Sequence, residues 1–434
     1  MALFMTVGIL IITLLIGVPI PFCFGASVIS MVYTLGYSPD SLLASGYTQI
    51  SSVVLLAMPL FILSGGIMEK GKIGDALVNV VEKFVGRFKG GIGAVAIIAS
   101  AVFGSISGSA SATLSCIGSI MVPKLKENRY PTGVAASLIA NASPLGLLIP
   151  PSSAQILYAW SSGQSVLACF LSTIVPGIVL VMMLCIVNFF LVRNCDLKKA
   201  ENETASEWIR DTGVKAGKAI PAMLMPVIIL GGIYSGIMTP TESAAVAILY
   251  SIPVGFFVYR GLTRQSFKEA IIETATTTGV VMVMFFMVMV LSKLFVMENL
   301  PTIIMEMLLS VSDNKYVLLI LINVFMVIIG MLMDDTSGML LCTPILMPII
   351  VQLGVHPIHF AAIIGVNLGM GNITPPTAPL LYLGGRIGGA KINEMMKPTL
   401  AFLFFAWIPT LLVTTFIPEL ALTIPKLILP KLFM

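Results

Sequence analysis

The sequence predicts an all-α integral membrane protein with about ten transmembrane helices plus two re-entrant hairpins, arranged as two inverted repeats. Three observations lead there. Of the 434 residues, 57% are hydrophobic and 10% charged, too little polar surface to cover a soluble globule of this size. Apolar runs long enough to cross a bilayer recur along the chain, and two of them carry polar tips half way along. The stretches 104–158 and 330–382 share one layout about 225 positions apart: a Ser/Asp/Thr-rich tip, a hydrophobic return, a Pro-Pro break and a closing tyrosine. Polar, helix-breaking sequence at membrane depth is tolerated only where it lines a cavity or is buried in protein, so matched interruptions point to a solute site between the halves.

Apolar length assigns the first-half spans to 3–18, 20–36, 50–68, 132–160 and 165–192, and the second-half spans to 219–235, 242–259, 268–292, 358–385 and 398–417. Runs 92–121 and 317–350 read as hairpins, because a polar tip in mid-run lets each arm cross only half the bilayer. Segments 69–89 and 293–313 read as membrane-surface helices, and the charged stretch 193–218 as a cytoplasmic connecting helix with Trp208 at the headgroups. The rest, 418–434, is a tail. With the amino terminus outside, 20 of the 24 Lys and Arg fall on the cytoplasmic side. Each half then holds an odd number of spans, so the second starts in the opposite orientation. The first hairpin opens to the cytoplasm and the second to the exterior.

The amino terminus lacks the basic region and cleavage site of a signal peptide, so the first span is expected to be retained. Six scattered cysteines without C-x-x-C spacing or a histidine cluster indicate neither a disulfide framework nor a transition-metal site. No basic, aromatic patch suggests nucleic acid. The 27 methionines read as packing.

The first tip, Gly104 to Ser111, offers hydroxyls and main-chain carbonyls on a backbone that glycine lets unwind, a turn able to hold a dehydrated sodium ion or a polar ligand. Its alternative is a tight helix crossing on the Gly104/Gly108 spacing. Asp334 and Asp335 are the only acidic residues expected deep in the membrane, where a carboxylate costs about 2.5–3.5 kcal/mol unless a cation or hydroxyl-bearing ligand offsets it. A tip that simply reaches water is the alternative, and the sequence does not separate the two aspartates. The Pro-Pro breaks free upstream carbonyls around 141–146 and 367–374, unless neighbouring Ser and Thr satisfy them. Half-helices starting after the breaks, beside Ser152, Ser153, Asn372 and Thr377, would aim positive ends at a substrate carboxylate. Glu242 reads as a helix cap, and His356 and His359 as interfacial residues.

These stretches together resemble the large membrane subunit of tripartite ATP-independent periplasmic (TRAP) transporters, the DctM-like family. The resemblance covers essentially the whole chain. It is carried by residues 58–65, 103–115, 148–152, 236–243 and 369–377. What it implies is an elevator-type, sodium-driven importer of an organic acid such as a C4-dicarboxylate, sialic acid or another sugar acid, in the bacterial inner membrane, and not an enzyme. The expected partners are a separate small membrane subunit (DctQ-like) and a periplasmic binding protein, since this chain shows no fused amino-terminal extension. Carried onto this sequence, sodium lies near Ser105, Ser107, Asn141, Ser143 and Gly146, and near Asp335, Thr336, Ser337, Gly371, Asn372 and Thr374. Substrate lies between, near Ser107, Ser109, Ser152, Asp334 and Thr377.

The implied division is a scaffold of 1–91 and 219–316, with 92–192 and 317–417 sliding across the membrane as a transport domain. Two other classes fit polar residues at membrane depth. A passive anion channel would need no sodium gradient. An intramembrane protease is disfavoured: no G-x-S-x-G surrounds Ser107, no histidine lies in an opposing span, and Asp334 follows Leu332-Met333 instead of a G-x-G-D frame.

Overall fold

The computed structural model describes residues 2–86, 90–198 and 205–433; residues 199–204 of the charged connector and the side chain of Trp208 lie outside what it describes. The described residues are helical throughout, with no strand. Seven helices are each long and apolar enough to cross a membrane, and the bent pair Thr132–Leu148 and Ser153–Ser162 makes an eighth.

Helices Ala2–Ile16 and Ile20–Leu35 form an opening pair, separated by Gly17 at φ +86° and by Pro19. Gly36 in the left-handed region ends the second helix. Helix Pro39–Ile50 follows, which the apolar-length reading missed because its polar residues keep it out of any hydrophobic run. The chain then enters Ala57–Lys70. In the second half Ala205–Tyr234, Pro240–Pro253 and Arg264–Met297 form the corresponding group. The two groups interlock crosswise: Ala57–Lys70 packs on Pro240–Pro253, and Ile20–Leu35 on Arg264–Met297.

Three boundaries differ from the sequence reading. Helix Ala205–Tyr234 carries part of the connector straight into the span, so the connector is not a separate 193–218 helix. Lys293 stays in the 34-residue helix Arg264–Met297, and the surface helix is Leu300–Val311 alone, because the first breaker is Asn299 at φ +56° followed by Pro301. Glu69 and Lys70 belong to the span, since the turn falls at Gly71-Lys72, and the amphipathic helix is Ile73–Val85.

Glu242 does cap. Thr239 Oγ1 accepts from Glu242 N (3.3 Å) and Glu242 Oε2 accepts from Thr239 N (2.7 Å), a reciprocal capping box at the start of Pro240–Pro253. Thr239→Ala should destabilise the purified protein by about 1 kcal/mol, read as a lower melting temperature; an unchanged melt would mean that packing on Ala57–Lys70 alone fixes this corner.

The remaining helices form the hairpin group. The first hairpin is Gly91–Ser107 and Ala110–Glu127; the second is Lys315–Leu332 and Asp335–Gln352. Each is followed by a broken helix: Thr132–Ala142 with Leu145–Leu148 and then Ser153–Ser162, and Pro357–Gly371 then Pro379–Gly388. Both Pro-Pro peptides, 150–151 and 375–376, are cis. The repeats exchange partners, with Ser153–Ser162 lying on Asp335–Gln352 of the other repeat and Pro379–Gly388 on Ala110–Glu127. Buried side chains also tie Ser153–Ser162 to Pro357–Gly371: Gln155 Nε2 donates to Ala361 O (2.9 Å), and Tyr158 Oη donates to Pro357 O (2.5 Å). Trp407, fully buried, fills the space against Gly369 and Pro144 where the two broken helices meet. Val166–Val192 and Ile392–Phe416 close the group.

His356 caps Pro357–Gly371 through Ile358 N (3.1 Å) and stacks on Phe433. His359 is covered by protein. It is buried, with Nε2 at 2.7 Å from Thr414 O, because it faces inward one turn into the helix.

Candidate functional site

Each hairpin closes on a two-residue break, and glycine packing sets how near that break comes to the broken helix behind it. In the first repeat a Cβ on Gly104 would lie 2.5 Å from Gly146 Cα; in the second, a Cβ on Gly371 would lie 2.6 Å from Gly330 Cα. Gly104 is therefore helical, not unwound, and its lack of a side chain serves backbone contact. The unwound part is Gly108-Ser109 alone, with Gly108 at φ +61°.

The first tip docks on the half-helix behind it. Gly108 O accepts from Ser153 N (3.1 Å) and from Ser153 Oγ (2.8 Å). The amino end of Ser153–Ser162 is thus aimed at the hairpin carbonyl. Ser152 Oγ caps the same helix by accepting from Gln155 N (3.4 Å) and is fully buried. Ser109 caps the returning arm, and its carbonyl accepts from Thr113 Oγ1 (2.8 Å). Ser107 Oγ lies 3.2 Å from Thr113 Oγ1. Ser105 and Ser143 bond back to their own helix at Val102 O (2.7 Å) and Ala140 O (2.9 Å).

The second tip separates the aspartates. Asp334 caps the returning arm, with Oδ1 accepting from Ser337 N (3.2 Å) and from Ser337 Oγ, while Ser337 also touches Met284 of Arg264–Met297. The Asp335 carboxylate takes no hydrogen bond from another described residue and makes no ion pair with one. Asn372, with Nδ2 turned to the hairpin, donates to Met333 O (3.0 Å) and Gly330 O (3.1 Å). Thr374 bonds back to Met370 O (2.6 Å). Thr377 is exposed and donates to Met331 O.

Both tips open on one cavity of about 560 Å³. Of the predicted residues it is lined by Ser107, Ser109, Asp334, Asp335, Thr336 and Asn372. Ser105, Asn141, Ser143, Gly146, Ser152, Ser337, Gly371, Thr374 and Thr377 are not on its wall; Ser153 is there instead of Ser152. Most of those set back are buried directly behind the tips.

The opposite wall comes from Ala57–Lys70 and Arg264–Met297, contributing Gly65, Glu69, Glu273, Thr274 and Thr277. Asp334 and Asp335 are therefore not the only carboxylates at the site. Lys70 spans Glu269 (3.6 Å) and Glu273 (3.2 Å), tying the two wall helices together. Sequence reasoning set Glu69 in a surface arm; the helix instead runs on through Gly65-Gly66 to Lys70 and turns only at Gly71. Gly65 brings this wall against the first tip, where a Cβ would sit 3.2 Å from Ser107 Cα. Among the described residues no group of three or more His, Cys, Asp or Glu could hold a metal ion. The cavity's polar wall is hydroxyl, carboxylate and amide oxygen, with no Lys or Arg among the lining residues.

Comparison with known proteins places these features in a family. The family model described as "Tripartite ATP-independent periplasmic transporter, DctM component" matches residues 7–420. The isethionate TRAP transporter permease protein DctMQ of Oleidesulfovibrio alaskensis is 33% identical over 94% of this chain, which spans 64% of that longer protein. The C4-dicarboxylate TRAP transporter large permease protein DctM of Pseudomonas aeruginosa is 33% identical, covering 90% of this chain and 91% of its own length. Among solved structures, the YdaH transporter of Alcanivorax borkumensis has the same fold, with a TM-score of 0.60 at 17% identity over 86% of this chain and 87% of that one.

Proposed function

Since the chain belongs to the DctM family of TRAP transporters, and is a multi-pass membrane permease rather than an enzyme, we propose that it imports an organic acid anion across the bacterial inner membrane, coupled to sodium. A periplasmic binding protein delivers the substrate, and a small DctQ-like membrane subunit braces the chain; the fused name of the isethionate relative supports the second partner. C4-dicarboxylates, sialic acid and other sugar acids fit a site of hydroxyls, amides and carbonyls.

The observation that carries the reading is the charge of the shared cavity. Asp334, Asp335, Glu69 and Glu273 all line it, and Asp335 has no hydrogen-bond or ion-pair partner among the other described residues. An anion enters such a cavity favourably only with cations that neutralise it, and cations stay only while the tips' oxygens surround them. Sodium is held behind the first tip by Ser105, Ser107, Asn141, Ser143 and Gly146, and behind the second by Asp335, Thr336, Ser337, Gly371, Asn372 and Thr374. Substrate lies between, touching Ser107, Ser109 and Asp334, with Ser153 on the wall in place of Ser152.

Residues 92–192 and 317–417 then move as one body past a scaffold of 1–91 and 219–316, with the amino terminus periplasmic. Gly65 supports a sliding contact, because a smooth helix face there meets the hairpin tip. One elementary charge against 100 mV is worth about 2.3 kcal/mol, so anion import into a negative interior needs more sodium charge than substrate charge.

The test is uptake in proteoliposomes holding this chain and its small subunit, with loaded binding protein outside. Uptake is expected only with an inward sodium gradient and is expected to rise when valinomycin makes the interior negative. Equal uptake in potassium, or without binding protein, would leave a passive channel in its place.

A further inference from the structure

Away from the tips the fold encloses a further cavity, of about 470 Å³, between the amphipathic helix Ile73–Val85, the span Ala205–Tyr234 and the segment Val254–Val258 that ends the next span. These elements meet where the chain's basic residues gather, at Lys70, Lys72, Arg260, Arg264 and Lys268, the pattern of a cytoplasmic membrane surface. Lys72 and Asp75 line the cavity, together with Asn79, Pro221, Val258 and Tyr259. Neither Lys72 nor Asp75 makes an ion pair with a described residue.

Both charges are placed by the turn that precedes the helix. Lys72, at φ +57°, is its first cap, and no side chain closes that end, so the first-turn N–H groups stay open. The turn is pressed against the second repeat: a Cβ on Gly261 would lie 2.5 Å from Gly71 O and 2.8 Å from Lys72 Cγ. That contact fixes where the lysine stem begins. Asp75 follows three positions on, one helical turn away. An ammonium beside an open helix start suits a phosphate. A carboxylate one turn further repels a second negative charge and accepts N–H from a cation. The pair therefore suits a zwitterion with its two charges a few bonds apart. Val258 and the Tyr259 ring add the mixed apolar and polar surface found at headgroup depth.

We propose that this cavity binds the headgroup of a membrane phospholipid carrying a primary ammonium, a phosphatidylethanolamine, with its phosphate on Lys72 and its ammonium on Asp75. The inference is independent of which solute and which cation the chain moves. Its position gives it a mechanical consequence. Asn79, on the same wall, accepts from Lys124 Nζ (3.0 Å), and Glu82 accepts from the same nitrogen (2.6 Å). Lys124 belongs to the returning arm of the first hairpin. The helix that holds the lipid is thus the one that grips the hairpin, and the lipid pins it to Ala205–Tyr234.

The test is thermal melting of the purified full chain in detergent micelles doped with dioleoyl phosphatidylcholine, part of which is replaced by the ethanolamine or the glycerol lipid. Phosphatidylcholine is the baseline, because its quaternary ammonium has no N–H to give Asp75. Phosphatidylethanolamine is expected to raise the melting temperature by about 3–5 °C over that baseline, and phosphatidylglycerol not to. Asp75→Asn should bring the ethanolamine lipid down to the baseline, and Asp75→Lys should make the glycerol lipid the better of the two. Lys72→Gln should lose the ethanolamine shift as well. A merely structural role for Asp75 would lower the melt in every lipid alike and leave the ethanolamine preference intact, and that result would overturn the proposal. So would a wild-type chain that melts alike in all three lipids, since the lipid would then act only as bulk solvent. Free phosphoethanolamine is the remaining arm: if it reproduces the full shift without acyl chains, the site takes a soluble zwitterion and the lipid assignment falls. Should Asp75→Lys fail to fold, Asp75→Asn decides by the same comparison.

Discussion

Gly104→Ala and Gly371→Ala should each lower sodium-driven uptake about 100-fold, with a loss of stability of about 3 kcal/mol. The reason is steric and local. The added carbon would stand 2.5 Å from Gly146 Cα in one case and 2.6 Å from Gly330 Cα in the other, and neither neighbour is a side chain that can rotate away. The backbone of the hairpin arm must retreat from the broken helix by the better part of an ångström. That retreat pulls Gly108 O from Ser153 in the first repeat, and Met333 O and Gly330 O from Asn372 in the second. The tips then no longer face one another across the cavity with their oxygens set. Gly279→Ala is the control: nothing lies within 4 Å of a Cβ there, and a helical alanine should be neutral or stabilising by up to about 1 kcal/mol. Uptake assays and melting curves on the three variants check this. A Gly104→Ala protein that transports normally would mean that the backbone contact is incidental.

How far these features could be read from the sequence follows from which interactions are local. The tips, the Pro-Pro breaks and the half-helices are written in consecutive residues: Gly108 supplies a left-handed turn, Ser109 and Asp334 supply caps, and the prolines interrupt the backbone ladder. Their repetition makes them stand out. Gly104 was assigned to unwinding because Gly146, its true reason, lies 42 positions further on and only the fold brings them together. Glu69 and Glu273 were missed for the same cause. Each sits near the end of a span beside other charges, where a solvated position is the ordinary outcome, and only the crossing of Ala57–Lys70 and Arg264–Met297 turns them onto the cavity. Helix Pro39–Ile50 escaped because hydrophobic length cannot register a helix that packs beside a span without crossing.

The second large effect is expected at the paired aspartates, which adjacent positions make look equivalent and the fold does not. Asp334 is committed to the protein: its carboxylate caps Asp335–Gln352 and accepts from Ser337. Asparagine caps nearly as well, so Asp334→Asn should keep the hairpin folded and lose only about 0.3–1 kcal/mol of charge at a helix start, a fall in uptake of less than about tenfold. Asp334→Ala removes the cap as well and should cost about 1 kcal/mol in stability. Asp335 accepts no hydrogen bond from another described residue and lines the cavity. Its neutralisation by asparagine preserves shape and removes only the reason for a cation to bind beside it. Asp335→Asn should therefore lower sodium-driven uptake about 100-fold, equivalent to about 2.7 kcal/mol, and raise the sodium concentration needed for what remains. Initial rates across a sodium series in proteoliposomes separate the cases. If Asp334→Asn shifts the sodium dependence while Asp335→Asn leaves it alone, the roles are reversed: the capping carboxylate also holds the cation, and the free one meets only water.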